Sequence, residues 1–195
     1  PNNRATAWPQ ANGEMADLIR AFDWSRTSLG AMEYWGERTR GVVDMVLDSG
    51  FPAVALLGPD LVQIYNDGYR VILGERHPLG LGQPTRDCWP EVWNINEPIY
   101  ERVRSGETVT FEDALYPIVR HGRLEDAWFT LSYSPLRDAD GTISGILVIV
   151  FETTNRVRMQ NSAWTSESRL AAVLESLPIG VGVTDAEGRF LLLND

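Results

Sequence analysis

Two short apolar runs, separated by a turn-forming tripeptide, form the clearest pattern in the chain. Ala53–Leu57 and Leu61–Tyr65 are rich in large aliphatic residues, and Gly58-Pro59-Asp60 separates them. This pattern predicts a strand, a tight turn and a second strand. Asn66 follows directly, and an asparagine in front of a helical pattern accepts hydrogen bonds from the free N–H groups of the first helical turn. The sequence therefore predicts a hairpin followed by a capped short helix, Asp67–Leu73.

Two helical patterns precede this hairpin. Within Asn12–Trp24 the apolar residues recur at helical spacing: Met15, Leu18, Ile19 and Phe22. A second predicted helix, Glu37–Asp48, has an apolar set that we expect to be buried: Val42, Val43, Met45, Val46 and Leu47. Because both helices come before the first strand, they must pack either on the sheet domain or on a partner chain.

The chain after the hairpin predicts one longer helix and three strands. Apolar residues at spacings of three and four predict a helix over Glu91–Ser105. Apolar alternation then predicts three strands, joined by short turns at 120–123 and 137–141: Thr108–Val119, Ala127–Leu136 and Thr142–Phe151. Two strands, short helices and a three-stranded meander together indicate an α+β fold, with a five-stranded antiparallel sheet and helices on one face.

From Arg156 onward the pattern is helical. Six positions follow a heptad spacing: Met159, Ala163, Ser166, Leu170, Val173 and Leu177. This spacing predicts a linker helix that pairs with a second copy as a coiled coil. A single amphipathic helix lying on its own domain is the alternative, because Ala163 and Ser166 are weak core residues.

Ser176–Asp195 repeats the opening hairpin. Pro178 corresponds to Pro52 and Asn194-Asp195 to Asn66-Asp67, with an acidic, glycine-containing turn between two apolar segments. A repeat of this kind predicts a second domain of the same type. The chain is thus predicted to have four parts: an N-terminal helical extension (1–48), the sheet domain (49–153), the linker helix (154–177) and the truncated start of a second domain (178–195).

Composition narrows the classes of protein that fit. The net charge of −10 argues against a surface for duplex nucleic acid or for an anionic membrane. The longest apolar run, Ile146–Phe151, has the length of a strand, and residues 1–12 are too polar for a signal peptide. Cys88 is the sole cysteine, so the sequence offers no internal disulfide. These features predict a cytoplasmic protein without a nucleic-acid or membrane partner.

The sequence carries no motif of a catalytic or metal site. Nucleophile-elbow, zinc-protease, phosphate-loop and dinucleotide-binding patterns are all absent. His77 and His121 each lie in a predicted turn and are expected at the surface, whereas Cys88 beside Trp89 is expected to be a buried thiol. The chain is therefore predicted to be non-enzymatic, with any kinase domain lying beyond Asp195.

Aromatic residues concentrate in the segments that close over one face of the predicted sheet. On one strand Phe129, Leu131 and Tyr133 alternate with polar residues and are placed inward. Aromatic rings with polar tips around an apolar cavity suit a small-molecule site. The alternative is that these side chains fill the core and leave no cavity. The predicted pocket residues are Tyr65, Tyr69, Trp89, Trp93, Phe129, Leu131, Tyr133 and Val148.

Several sequence motifs occur in a fixed order along the chain. Leu29-Gly30 is followed by Trp35, and the later motifs are YNDGYRVILGERHPLGLG (Tyr65–Gly82), RDCWPEVW (Arg86–Trp93), FTLSYSPLRDADG (Phe129–Gly141) and GILVIVFETTNR (Gly145–Arg156). The combination resembles PAS domains, most closely the N-terminal PAS sensor domains of bacterial multi-domain sensor histidine kinases. The resemblance covers Asp23 to Arg156, and Ser176–Asp195 resembles the start of a second PAS domain.

The resemblance implies a fold and a route for the signal. It implies a sheet in the order 2-1-5-4-3, with short helices that form a pocket over it. Glu152, Thr154 and Arg156 resemble the acidic-x-Thr-x-Arg segment that couples a PAS sheet to its output helix. Glu152 stands where Asp is more usual. We hypothesise that its carboxylate pairs with Arg156 while Thr154 caps the helix.

The resemblance also limits the cofactors. In light-oxygen-voltage domains a cysteine segment follows the glycine that corresponds to Gly82, whereas Cys88 lies about three residues too late. Phe129 and Val150 stand where such domains have polar flavin-binding residues. Haem-binding PAS domains use a histidine on the long helix, and Glu91–Ser105 has none. Neither haem nor a photoadduct-forming flavin is expected, and the cofactor stays unknown.

Two functions fit these observations. The first is a cytoplasmic PAS sensory domain of a bacterial two-component system, which binds a small organic molecule and signals through its C-terminal helix to a histidine kinase. The second is a ligand-free PAS module for dimerisation and protein interaction. In both, the expected partner is a second copy, held through the N-terminal helices and the linker helix.

Overall fold

The computed structural model describes residues 8–175 and 182–193. The N-terminal segment contains two α-helices, α1 (Glu14–Ala21) and α2 (Glu37–Asp48), with short 3-10 turns at Trp24–Arg26 and Met32–Tyr34 between them. Both predicted helices are confirmed. The first ends at Ala21 rather than at Trp24, because Phe22 adopts an extended backbone conformation that stops the helix.

The central part of the chain is a five-stranded antiparallel sheet. Its strands are β1 (Ala53–Leu57), β2 (Val62–Tyr65), β3 (Val109–Arg120), β4 (Arg123–Arg137) and β5 (Ile143–Glu152). They lie in the order β2-β1-β5-β4-β3. Ala55 pairs with Leu147 and Leu131 with Val150, so β5 joins the opening hairpin to the meander. The predicted α+β fold and strand order are confirmed.

Asn66 does more than cap the helix that follows it. Its Oδ1 accepts hydrogen bonds from the backbone N–H of Tyr69 (2.9 Å) and of Ala53 (3.1 Å). Its Nδ2 donates to the carbonyl oxygens of Phe51 (2.7 Å) and Ser49 (3.2 Å). One buried side chain therefore ties the start of β1 to the end of β2 and to the next helix, which orients the helical layer on the sheet.

Three helices and two 3-10 turns cover one face of this sheet. They are α3 (Asp67–Leu73), a turn at Gly74–Arg76, α4 (Thr85–Cys88), a turn at Pro90–Val92 and α5 (Trp93–Arg104). The predicted helix Glu91–Ser105 is thus an α-helix preceded by a 3-10 turn. The backbone of Trp89 is non-helical, and Pro90 begins the turn directly after it.

The segment between the turn at Gly74–Arg76 and α4 protects the open edge of β2. Gln63 donates its backbone N–H to the carbonyl of Gln83 (2.9 Å), and Gly82 donates to the carbonyl of Gln63 (3.0 Å). Thr85 donates to the carbonyl of Leu61 (3.0 Å). These bonds occupy backbone groups that would otherwise be exposed on an edge strand.

The N-terminal helices pack on the sheet domain of the same chain. Met15, Ile19, Val43 and Val46 are buried in one hydrophobic core with the sheet residues. Met45 was predicted to be buried, but half of it is exposed. In a helix, Met45 points about 200° away from Val43, so it faces solvent when Val43 and Val46 face the core. Contacts join the described residues up to Thr153 into one compact unit.

The residues from Thr154 onward form a second unit, which contains a helix and a hairpin. Helix α6 spans Thr154–Glu175, and β6 (Gly182–Thr184) pairs antiparallel with β7 (Phe190–Leu193). Asp185 Oδ1 accepts the backbone N–H groups of Glu187 (3.0 Å) and Arg189 (2.9 Å) in the turn. The repeat thus contains a strand, an acidic turn and a strand. Its expected second PAS domain stays a prediction, because Pro178 and Asn194-Asp195 lie outside the described residues.

Candidate ligand-binding cavity

A cavity of about 60 Å³ lies between the inner face of the sheet and helices α3 to α5. The sheet contributes alternate residues of its strands and the helices contribute mainly aromatic side chains. The residues that line it are Val54, Leu56, Tyr69, Ile72, Thr85, Trp89, Val92, Asn96, Tyr100, Tyr116, Ile118, Phe129, Leu131, Tyr133, Val148 and Val150. We call this space the sheet cavity.

Among the described residues that form the wall of the sheet cavity, tyrosine is the only ionisable type. Burial raises the pKa of Tyr69, Tyr100, Tyr116 and Tyr133 above its ordinary value, so each of these hydroxyls keeps its proton. A site of this kind penalises any bare charge, because no opposite charge compensates for lost hydration. The cavity is therefore a neutral environment.

A hydrogen-bonded triad forms the polar part of the wall. The Tyr116 hydroxyl donates to Asn96 Oδ1 (3.2 Å) and lies 3.1 Å from the Tyr133 hydroxyl, which in turn lies 3.4 Å from the same Oδ1. Among the hydrogen bonds of the described residues, none uses Asn96 Nδ2. The amide hydrogens of Asn96 are therefore available to a bound molecule.

Trp89 supplies a second donor. Its side chain is buried, and in the part of the chain that the structure describes its Nε1 has no hydrogen-bond partner. The indole N–H lies beside the Tyr69 hydroxyl, where it partly opposes the rise in the pKa of Tyr69 that burial causes, but no hydrogen bond of normal geometry joins the two. An unpaired buried donor is costly, and an acceptor on a bound molecule would remove that cost.

The structure brings together six of the eight predicted pocket residues. Tyr69, Trp89 and the four sheet residues Phe129, Leu131, Tyr133 and Val148 line the sheet cavity. Tyr65 and Trp93 do not. Tyr65 is fully buried and its hydroxyl lies 3.0 Å from His77 Nδ1. Trp93 packs against Tyr100, with Arg86 over its ring at 5.4 Å.

Sequence reasoning missed the polar residue at the centre of the triad. Asn96 lies between Val92 and Tyr100 on the inner face of the helical layer. A polar residue that interrupts an apolar stripe at helical spacing is the signal that could have revealed it. Tyr116 on β3 was also missed as a pocket residue, since the bulge between Phe111 and Ala114 changes the register of β3 against β4.

Glu152, at the end of β5, is held by a residue that the sequence did not suggest. Both of its carboxylate oxygens accept from Arg120, at 2.8 and 2.7 Å. This bidentate pair spans from β3 across β4 to β5, and Arg120 lies 32 positions away in sequence. Thr153 donates its backbone N–H to the carbonyl of Trp128 (2.7 Å), while Arg156 bonds Gln160 within α6 (3.2 Å). The proposed relay through Glu152, Thr154 and Arg156 stays a prediction.

The two histidines differ in their surroundings. His121 is exposed as expected, but the side chain of His77 is only 12% exposed. His77 Nδ1 accepts from the Tyr65 hydroxyl and Nε2 donates to Glu14 Oε1, also at 3.0 Å, which links α1 to β2. The expectation of a surface histidine was therefore wrong for His77, because α1 packs over the turn that carries it.

Other chemistry is limited in the described part of the chain. Cys88 is buried, and burial raises the pKa of its thiol. In residues 8–175 and 182–193 no three His, Cys, Asp or Glu side chains come together in a way that could hold a metal ion. No helix in these ranges is long and apolar enough to cross a membrane.

Comparison with known families identifies the sheet domain. Residues 47–158, more than half of the chain, match the family model described as the PAS fold. The chain belongs to the PAS-fold family. This assignment agrees with the strand order and with the helices over one face of the sheet. PAS domains are sensory modules, so the chain has the fold of a signalling domain.

Several solved structures are similar to this chain. The PAS domain of Bordetella pertussis BvgS has 15% identity and a TM-score of 0.48, covering 69% of this chain and 99% of that one. A sensory box sensor histidine kinase from Vibrio cholerae has 15% identity and a TM-score of 0.41, covering 59% of this chain and 92% of that one. An RNA-binding light-oxygen-voltage receptor has 17% identity and a TM-score of 0.46 over 66% of this chain, which spans 37% of that receptor.

Proposed function

We propose that the chain is a non-enzymatic, cytoplasmic PAS sensory domain of a bacterial histidine kinase, and that it binds a small molecule in the sheet cavity. One observation carries the proposal: Trp89, in the wall of a cavity whose other polar groups are those of Thr85, Asn96 and the tyrosines, has a buried N–H without a partner among the described residues. A filled core would satisfy such a donor. A ligand that accepts a hydrogen bond would remove this cost.

The signal would leave the cavity through the β3–β4 turn. The guanidinium of Arg76 lies 4.2 Å from the centre of the Trp89 ring, forms an ion pair with Glu91 and donates to the carbonyl of Val119 (3.1 Å). The next residue, Arg120, holds Glu152 at the end of β5. A ligand that moves Trp89 would thus act on the strand that leads into α6. It can bias the output only by its difference in affinity between two arrangements.

The second candidate function, a dimerisation module, rests on α6. Its side chains at Met159, Trp164 and Val173 are 73%, 72% and 50% exposed. A second copy of this helix would cover Met159 and Val173, as the heptad spacing predicts, whereas Trp164 lies outside the heptad positions. A dimer through the N-terminal helices would need other residues than the predicted apolar stripes, because Met15, Ile19, Val43 and Val46 are already buried.

Native mass spectrometry of the purified chain tests the first function. Retention of a non-covalent small molecule is expected, and Phe129→Arg should abolish it, because this change puts a charge into the cavity. Leu124→Arg is the matched control, since Leu124 is an exposed residue on the same strand. Retention by Phe129→Arg that equals the wild type, in a variant with native circular dichroism, would reject the cavity as the binding site. A monomer mass that is independent of concentration would reject the dimerisation module.

A further inference from the structure

The charges around the sheet cavity restrict what it can bind. None of the described residues in its wall is Arg, His, Asp or Glu, although the chain has 17 basic and 27 acidic residues. Arg76 lies over the Trp89 ring and is already paired with Glu91. An anionic or cationic ligand would therefore lose its hydration without gaining an ion pair.

The volume of the sheet cavity sets an upper limit on the size of a ligand. One water needs about 10–15 Å³ and a cavity of about 150 Å³ takes up benzene, so about 60 Å³ holds a few waters or a molecule smaller than benzene. Tyr69 lies on the short helix α3, and Trp89 lies between α4 and the turn at Pro90–Val92. Polycyclic and nucleotide ligands are too large.

The polar groups of the wall indicate the chemistry of the ligand. Among the described residues that line the cavity, two sets of donors lack partners, the Trp89 indole N–H and the Asn96 amide hydrogens. The acceptor Asn96 Oδ1 is already used by the tyrosine hydroxyls. The wall thus offers donors, and the matching group on a ligand is an acceptor.

We infer that the sheet cavity selects a small uncharged molecule, no larger than one ring, which carries a hydrogen-bond acceptor such as a carbonyl oxygen and presents it to Trp89. This inference rests on the proposed function and specifies its ligand. The apolar wall binds the hydrocarbon part, and the donors distinguish a ketone or aldehyde from a plain hydrocarbon.

Three probe molecules of similar shape test separately whether a ligand must be uncharged and whether it must carry an acceptor: butanone, 2-methyl-1-butene and propionate. Each is titrated into the chain and followed by the shifts of backbone amide signals in nuclear magnetic resonance. Butanone should bind about fivefold to tenfold more tightly than the alkene, because only the ketone satisfies the buried donors. Propionate should not bind measurably, since the cavity does not compensate its charge.

Trp89→Phe tests the role of the donor. This change keeps an aromatic ring but removes the N–H, so it should reduce butanone affinity about fivefold to tenfold and leave the affinity for the alkene unchanged. Trp164→Phe, at an exposed position on α6, is the matched control and should change neither. Equal weakening of both probes by Trp89→Phe, or propionate binding as tightly as butanone, would overturn the inference.

Native mass spectrometry of the chain as purified separates failure of the inference from failure of the proposed function. A retained ligand that is charged or polycyclic would overturn the inference and leave the sensory function intact. If no ligand is retained and none of the three probes binds, both are overturned.

Discussion

Two aromatic clusters in the first unit differ in how their polar atoms are satisfied. In the N-terminal aromatic cluster, Trp8, Trp24 and Trp35 pack edge to face, and all three indole N–H groups are bonded. Trp8 donates to Asp44 Oδ2 (3.0 Å), Trp24 to the carbonyl of Ile19 (2.9 Å) and Trp35 to the carbonyl of Gly30 (3.0 Å). In and beside the sheet cavity, the buried Nε1 atoms of Trp89 and Trp93 have no partner among the described residues.

This difference separates a structural core from a binding site. Both clusters are rich in aromatic side chains and both are buried, so composition and burial do not distinguish them. The cavity does, and in its wall the buried N–H of Trp89 lacks a partner among the described residues, which costs stability unless a ligand completes it. The N-terminal cluster is complete in itself, whereas the sheet cavity has room and unused donors.

The largest expected loss of stability comes from a substitution in the N-terminal aromatic cluster. Trp24→Ala should lower the free energy of unfolding by about 3–5 kcal/mol, because it removes a fully packed ring. Urea denaturation measures this loss. Trp164→Ala, at an exposed position, should change stability by less than about 0.5 kcal/mol. Similar losses in the two variants would show that the cluster is not a structural core.

A matched pair of filling substitutions compares the two regions directly. Val43→Phe in the N-terminal packing should cost about 1–3 kcal/mol, because there is no space for the ring. Val148→Phe should cost less, because the side chain can enter the sheet cavity, and it should also abolish ligand retention. Denaturation curves of both variants give the difference. Equal costs would mean that the cavity cannot accept a ring.

Substitutions that remove a single indole N–H should change the free energy of unfolding less. Trp24→Phe leaves the buried carbonyl of Ile19 without its donor and should cost about 1–3 kcal/mol. Trp89→Phe removes a donor that has no partner, so without ligand it should cost less than Trp24→Phe. If Trp89→Phe proved the more destabilising change in thermal unfolding, its indole N–H would have a partner in the folded chain.

The smallest expected change in stability comes from His77, which links helix α1 to strand β2 through Glu14 and Tyr65. Burial, and then the nearby Arg70, lowers the pKa of His77 below its ordinary 6.5 in the folded chain. Burial raises the pKa of Tyr65, so its hydroxyl keeps its proton and donates to neutral His77 Nδ1. The folded state therefore binds fewer protons than the unfolded state near pH 6.5. The stability contributed by His77 is present above that pH and is lost as the pH falls toward the lowered pKa.

Unfolding free energies measured between pH 5 and 7.5 test this link. His77→Gln should flatten the fall in stability on the acidic side. His121→Asn is the control, because His121 is exposed and has a positive φ of 50°, which asparagine tolerates. A fall of the same size in His77→Gln as in the wild type would show that His77 does not couple α1 to the sheet through its neutral form.

The positions of the strands and helices could be predicted from local patterns. The hairpin at 53–65, the cap at Asn66 and the meander all follow from apolar alternation and turn residues. The sheet order came from the resemblance to the PAS family, since no local pattern specifies which strands become neighbours. The role of residues 77–84 in covering β2 was missed, because irregular backbone that pairs with an edge strand has no periodic signal.

The candidate site was predicted in part. Tyr65 shows that strand alternation predicts the face of a residue but not whether its side chain reaches the cavity. Tyr65 pairs with Val54, whose side chain lines the cavity, so alternation placed Tyr65 on the correct face of the sheet. Because β2 is the edge strand, its side chain meets His77 instead of the cavity. Trp93 also lies outside the cavity, for a different reason. Trp93 is the first residue of α5 and packs against Tyr100 with Arg86 over its ring, whereas Asn96 and Tyr100, farther along the helix, line the cavity.

The sequence by itself determined the elements, the inward face of β4 and the family, because these depend on residues that are close along the chain or that form a fixed motif. The tertiary structure alone decided the partners of buried polar atoms. Arg120 holds Glu152 from 32 positions away, and the N–H of Trp24 finds a carbonyl where that of Trp89 finds none. A hydrogen bond depends on distances of a few tenths of an ångström between atoms that only the packed chain brings together.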